Sequence, residues 1–170
     1  APDQPTYRAK LNELLSHADP GVRGRAAQAL ASTVGSRDAA RDATGAALLP
    51  LLEDENNFTK SMAMRAIASL DYRAGIHAIV PLMQNNESNT YDIRGFQELD
   101  GSDGRVHHDG SAWSIVADAA LGALKTFSNR IGERLDYRIN YQTKEADIAA
   151  AITATTAWYD ANKASLPPAP

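Results

Sequence analysis

"HADPGVRGRAAQAL", residues 17–30, joins a helix-start signal, a basic pair (Arg23 and Arg25) and an alanine-rich face in fourteen residues. Asp19 can accept from the free amides of a first helical turn. Pro20 then falls at the first helical position, where its missing N–H costs nothing. Beyond it Val22, Ala26, Ala29 and Leu30, with Ala27 beside them, recur at three- and four-residue spacing, as on a helix with one apolar face. That face is built from alanines, so another helix backbone can approach it closely. The stretch predicts tight helix-on-helix stacking.

The segment just before it, "LNELL" (Leu11, Leu14, Leu15), has the same apolar spacing, which returns as "LLPLL" (Leu48, Leu51, Leu52) and "IVPLM" (Ile79, Leu82, Met83). Polar turns follow each run: "SHADP", "EDENN" and "QNNES". After them come alanine-rich helices, "AAQAL", "AIASL" and "AALGAL", ending at Leu30, Leu70 and Leu124. The first interval, 30 to 70, is 40 residues, within the range of two-helix repeats. The second, 70 to 124, is 54, so the third unit is expected to carry an insertion of about 14 residues or more.

The stretch "LLSHADPGVRGRAAQALAS" resembles the HEAT repeat, whose turn and second helix read Asp-Pro-x-Val-Arg-x-x-Ala-Ala-x-Ala-Leu. Asp19, Pro20, Val22, Arg23, Ala26, Ala27, Ala29 and Leu30 all match. A proline inside the first helix, Pro50 and Pro81 here, is also usual in that family. Aligned on the terminal leucines, the Asp and Arg positions become Thr59 and Ala63, then Trp113 and Ala117. The Asp–Arg contacts that often link neighbouring repeats in the family are therefore not expected. The closing "ADIAAAITATTAWYDANK" is similar to the ending of many exported bacterial HEAT-repeat proteins, in which Trp-(Trp/Tyr)-x-x-Asn-Lys closes the last helix.

These readings combine into one all-α domain, residues 1–170: a short HEAT-like α-solenoid of about three helical-hairpin repeats (approximately 6–35, 38–71 and 73–128) with a C-terminal capping helix. The capping helix is expected over 143–163, with Thr143 as N-cap, Glu145 and Asp147 in the first turn and Lys163 near the end. Its inward stripe is Ile148, Ile152, Thr155 and Tyr159, with Ala151 and Trp158. Two insertions, 85–111 and 129–142, are longer than ordinary connections between packed helices, and such loops often carry function.

Composition narrows the function classes. Of 170 residues, 44% are hydrophobic and 22% charged, ordinary values for a chain with a core. The net charge of −4 argues against a nucleic-acid binder, which needs a basic field. No apolar run is long enough to span a membrane. Without cysteine there is no disulfide, thiol nucleophile or zinc-thiolate site. Ala1 suits a signal-peptidase cut, and with the closing motif it leads to the expectation of a secreted or periplasmic protein.

The insertions hold tyrosines next to arginines. In "LDYRINY", Leu135, Tyr137, Ile139 and Tyr141 fall on one side of an extended chain, and Tyr91 with Ile93 in "TYDIRGF" repeats the pattern, compatible with a small two-stranded patch. A helical alternative sets Arg130, Arg134 and Arg138 in a basic stripe. Tyr and Arg dominate the energetics of protein interfaces, so Tyr91, Arg94, Phe96, Tyr137, Arg138 and Tyr141 are the candidate protein-binding residues. The same tyrosines could instead cover the edge of the third repeat.

"DGSDG" puts Asp100 and Asp103 near Glu98 and Asp109, oxygen donors of the kind calcium takes, but without the EF-hand spacing. His107 and His108 diverge, and no metal-type histidine pair occurs. Gly-x-Ser-x-Gly, the phosphate loop and Gly-x-Gly-x-x-Gly are absent. Glycines in "RAGIH" and "LGAL" read as small-residue helix contacts. The sequence therefore points to a non-catalytic, cofactor-free protein-binding or scaffolding subunit, possibilities beside it being an accessory subunit of an exported enzyme or electron-transfer complex, or a calcium-stabilised module on Asp100, Asp103 and Asp109.

Overall fold

Asp19 caps a helix as its position predicts: its carboxylate accepts from the amides of Gly21 and Val22 at 2.7 and 3.3 Å. In the computed structural model, which describes residues 4–85, 116–139, 143 and 145–169, that helix is α2, Pro20–Val34. It follows α1 (Gln4–Leu14) and precedes α3 (Arg41–Leu48), α4 (Asn57–Ser69) and the short α5 (Ile76–Ile79). The chain then passes to α6 (Val116–Arg130) and α7 (Glu145–Asn162). Among the described residues there is no strand, and no helix is long and apolar enough to cross a membrane.

The helices form two layers. α2 packs on α4 and α4 on α6, so the alanine-rich helices lie side by side in chain order. The other layer is α1, then α3 with its 3-10 continuation Leu49–Glu53, then α5 with its continuation Val80–Gln84. Each continuation begins next to a proline, Pro50 or Pro81. The missing N–H interrupts the α ladder, and the chain finishes as a tighter 3-10 turn that still buries Leu51, Leu52 and Met83. Between the layers Leu30, Leu48, Met64, Ile67, Ile76, Leu121, Leu124 and Phe127 are fully enclosed. Each large apolar side chain buried in this way contributes about 1.5–3 kcal/mol.

The repeat length is 37, not 40. The side-chain caps Asp19 and Asn56 lie 37 positions apart, as do Leu11 on α1 and Leu48 on α3. In this register Leu30 corresponds to Ile67, both fully buried. Thr59, aligned with Asp19 on sequence alone, instead lies in the first turn of α4, where Asn56 accepts from its amide. Its hydroxyl donates to the Pro20 carbonyl at 3.0 Å and ties α4 to the start of α2.

The expected absence of Asp–Arg contacts is also corrected. Arg23 on α2 donates from Nε and Nη2 to Asp54, just before α4, at 2.6 and 2.8 Å. The acid of this rung sits two residues ahead of the cap and was invisible to an alignment on leucines.

α4 ends in a Schellman turn, with Tyr72 N–H donating to the Ile67 carbonyl and Asp71 N–H to that of Ala68. Asp71 takes the positive φ of 56° that this turn demands. The turn delivers the Tyr72 ring onto Gly45 of α3, where a Cβ would lie 2.2 Å from Tyr72 Cγ. Gly75 is a packing contact of the same kind, against Ile67. Gly122 is not: a Cβ there meets nothing within 4 Å, which corrects the reading of "LGAL" as a helix contact.

The third repeat keeps its place in the stack across the first insertion, because Ala117 N–H donates to the Asn85 carbonyl at 3.0 Å. α7 closes the pile against α6 and the 80–84 turn. Ile148, Ala151, Thr155 and Trp158 form its buried stripe, with Ile152 and Tyr159 partly buried beside them. Thr143, the expected cap, is buried two positions before the first helical residue.

Candidate protein-binding surface

The layer of α2, α4 and α6 turns one face to the core and the other to solvent. On the solvent face α2 presents Arg25, Gln28 and Ser32, α4 presents Arg65 and Ser69, and α6 presents Asp118, Gly122 and Thr126. These side chains lie at helical spacing opposite the buried alanines, the geometry the apolar period imposes. Small residues between them leave room. A hollow of about 570 Å³ runs between α2 and α4, lined by Arg25, Gln28, Ala29, Ser32, Arg65 and Ser69. A second of about 680 Å³ runs between α4 and α6, over Gly122. Arg65 and Ser69 border both, so the two form one groove across three helices.

Arg130 closes the groove at its α6 end. Its guanidinium donates to the carbonyls of Ala68 and Ser69 at 2.7 and 3.2 Å, the first of which also accepts from Asp71 N–H, and lies 3.8 Å from Asp71. Arg25 and Arg65 are exposed and have no hydrogen-bond or ion-pair partner among the described residues. The sequence marked Arg25 only as half of a basic pair, and Arg65 carried no signal.

Of the sequence-predicted binding residues, the structure describes Tyr137 and Arg138. Tyr91, Arg94, Phe96 and Tyr141 lie outside the described residues, as do Glu98, Asp100, Asp103, Asp109, His107 and His108. After α6 the chain turns at Gly132 (φ 86°) and runs without helix through residues 133–139. The alternation holds there: Leu135 is buried, Tyr137 and Ile139 are partly buried, and Asp136 and Arg138 are exposed. The helical alternative fails, because α6 stops at Arg130 and Arg134 and Arg138 do not continue it. The other half of the expected two-stranded patch falls outside the described residues.

Tyr137 joins elements within the chain. Its hydroxyl donates to the Leu121 carbonyl at 2.9 Å and meets the Thr155 hydroxyl at 3.0 Å, bridging α6 and α7. Lys125 donates to the Tyr137 carbonyl, and its ammonium lies 5.0 Å from the ring centroid. Burial pushes the Tyr137 phenol above its ordinary pKa, with the Thr155 contact opposing in part. Arg138 is exposed and, with Tyr137 and Asp136, lines a hollow of about 460 Å³ against Asp147 and Ala154 on α7.

A family model for HEAT repeats matches residues 7–94, just over half of the chain. The chain belongs to the HEAT-repeat family. The match runs from within α1 through α5 and on into the first insertion. No curated protein and no solved structure matches the chain. HEAT repeats generally mediate contacts between proteins and are typically non-catalytic.

Proposed function

We propose that this HEAT-repeat chain is a non-catalytic protein-binding or scaffolding subunit, and that it receives its partner in the groove on the solvent face of α2, α4 and α6. The observation that carries this reading is the groove itself: two joined hollows on a rigid helical layer whose opposite face is the core. A preorganised surface loses little freedom on binding, which leaves more of the contact energy for affinity. The hollow beside α7 presents Arg138 for a second contact, and the residue types of Tyr91, Arg94, Phe96 and Tyr141 in the insertions support them as further binding residues. The Trp158–Lys163 ending supports an exported protein, and a role as accessory to an enzyme or electron-transfer complex follows only by association with other exported HEAT-repeat proteins.

Site-specific photo-crosslinking in cells of the native source tests this. A benzophenone residue at Gln28 or Thr126, inside the groove, is expected to give a discrete adduct with one protein. The same residue at Lys10, exposed on α1, is expected to give none. Adducts from Lys10 alone, or none from either groove position, overturn the assignment of the face.

A further inference from the structure

Beyond binding a protein in general, the groove has a chemical bias. Its described lining carries three arginines and one aspartate, in a chain whose net charge is −4. Arg130 is committed to carbonyls and Asp71, and Asp118 has an interaction of its own. That leaves Arg25 and Arg65, on adjacent helices, lining the same hollow and without described partners. Among the other described arginines Arg8 pairs with Asp38, Arg23 with Asp54, Arg41 with Asp42 and Arg73 with Asp71, and the exposed Arg37, Arg134 and Arg138 do not line these hollows. Two like charges lining one hollow repel each other mildly, and a bound carboxylate relieves that repulsion while accepting from guanidinium donors.

The α6 side of the groove differs. Around Gly122 the floor is Ala68, Ala119 and Ala123, and the missing side chain at Gly122 opens the space further. A ligand that lies across the groove therefore meets cations over α2 and α4 and, over α6, a small-residue floor at Ala119, Gly122 and Ala123 flanked by Asp118 and Arg130. We infer that the groove binds an acidic polypeptide segment, with carboxylates held by Arg25 and Arg65 and an adjacent uncharged or apolar side chain seated over Gly122. This rests on the preceding assignment of the α2–α4–α6 face as the binding surface. A polypeptide fits better than a nucleic acid, because two free cations displace few counterions and the rest of the chain is acidic.

The test uses an array of random dodecapeptides graded by net charge, probed with the full chain at low and moderate salt. Wild-type protein is expected to favour peptides with two or more Asp or Glu residues, less strongly as salt rises. Arg25→Glu/Arg65→Glu should lose that preference by about tenfold or more and turn toward basic peptides. Arg37→Glu/Arg134→Glu makes the same net charge change at exposed positions outside the hollows and should leave the preference intact. Circular dichroism confirms that each variant is folded. Equal loss in both double variants, or no acidic preference in wild type, overturns the proposal. Neutral peptides blocked by Gly122→Trp would refute the acidic ligand while sparing the groove as a binding face. Failure of that substitution to affect any peptide would count against the face itself. Arginine-dependent binding of a single-stranded oligonucleotide in preference to every peptide would also overturn it.

Discussion

Arg23 grips Asp54 through two parallel guanidinium bonds, linking the second helix of one repeat to the turn that begins the second helix of the next. Arg23 also donates from Nη1 to the carbonyls of His17 and Ala18, so one side chain pins its own turn and its neighbour's. The Asp54 side chain is only 8% exposed. Burial alone would raise its pKa, but the Arg23 bonds and the Asn56 amide outweigh that and hold it below the ordinary value. Asp54→Asn is expected to cost about 2 kcal/mol at pH 7. A depressed folded pKa contributes stability that is full above the unfolded value, about 3.9, and is lost as pH falls through the folded one. Urea melts at pH 7 and in steps below pH 4 should show the gap between wild type and variant closing. A gap independent of pH would mean the carboxylate is not the source.

Gly45 and Gly122 should respond to the same substitution with opposite signs. Alanine in a helix interior is ordinarily better than glycine by about 0.5–1 kcal/mol. At Gly122 nothing obstructs the new methyl, so Gly122→Ala should raise the melting temperature. At Gly45 the methyl would lie only 2.2–2.6 Å from three carbons of the Tyr72 ring, and Gly45→Ala should destabilise by about 1–3 kcal/mol. Adding Tyr72→Ala to Gly45→Ala should recover part of that loss relative to the sum of the single changes, and additive effects would show that the ring is not the obstacle.

Helix type, layer order and the capping stripe were all legible in the chain, because each follows from apolar spacing within one element. The register was harder. Shifting an alanine-rich helix by three residues keeps most of its small residues on the same face, so Leu30 paired with Leu70 as plausibly as with Ile67. Only the caps decide, since Asp19 and Asn56 each satisfy free first-turn amides. The groove cations were illegible for another reason. Arg25 and Arg65 come together through α2–α4 packing, and exposed arginines on single helices ordinarily read as solvated charge.

Tyr137 and Arg138 are neighbours with separable jobs. Tyr137→Phe removes one hydroxyl that serves both α6 and α7, and should lower stability by about 1–2 kcal/mol. Arg138→Ala, at an exposed position, should change stability by no more than about 0.5 kcal/mol. Because burial raises the phenol's folded pKa, its contribution is complete below the unfolded value near 10 and declines as pH rises through the folded value. Denaturant melts from pH 8 to 11 should show wild type losing more stability than Tyr137→Phe. Parallel curves would indicate that the hydroxyl is not enclosed.

His77 fastens the C-terminal segment across 90 residues of chain: Nε2 lies 2.7 Å from the Pro167 carbonyl and Nδ1 lies 2.8 Å from the Tyr159 hydroxyl. A carbonyl only accepts, so Nε2 carries a proton, and in the neutral ring Nδ1 takes the tyrosine's. One imidazole thus joins α5, α7 and the segment after the 3-10 turn Lys163–Ser165. His77→Phe keeps a ring beside Tyr159 and deletes both hydrogen bonds. It should lower global stability by only about 1–2 kcal/mol, since both contacts are partly exposed. Its larger effect should be local, with 15N order parameters at Leu166 and Ala169 falling below about 0.6 while those of α7 stay near 0.85. If the residues after Ser165 keep wild-type order in His77→Phe, the partly buried Leu166 side chain, and not the histidine, holds them against the stack.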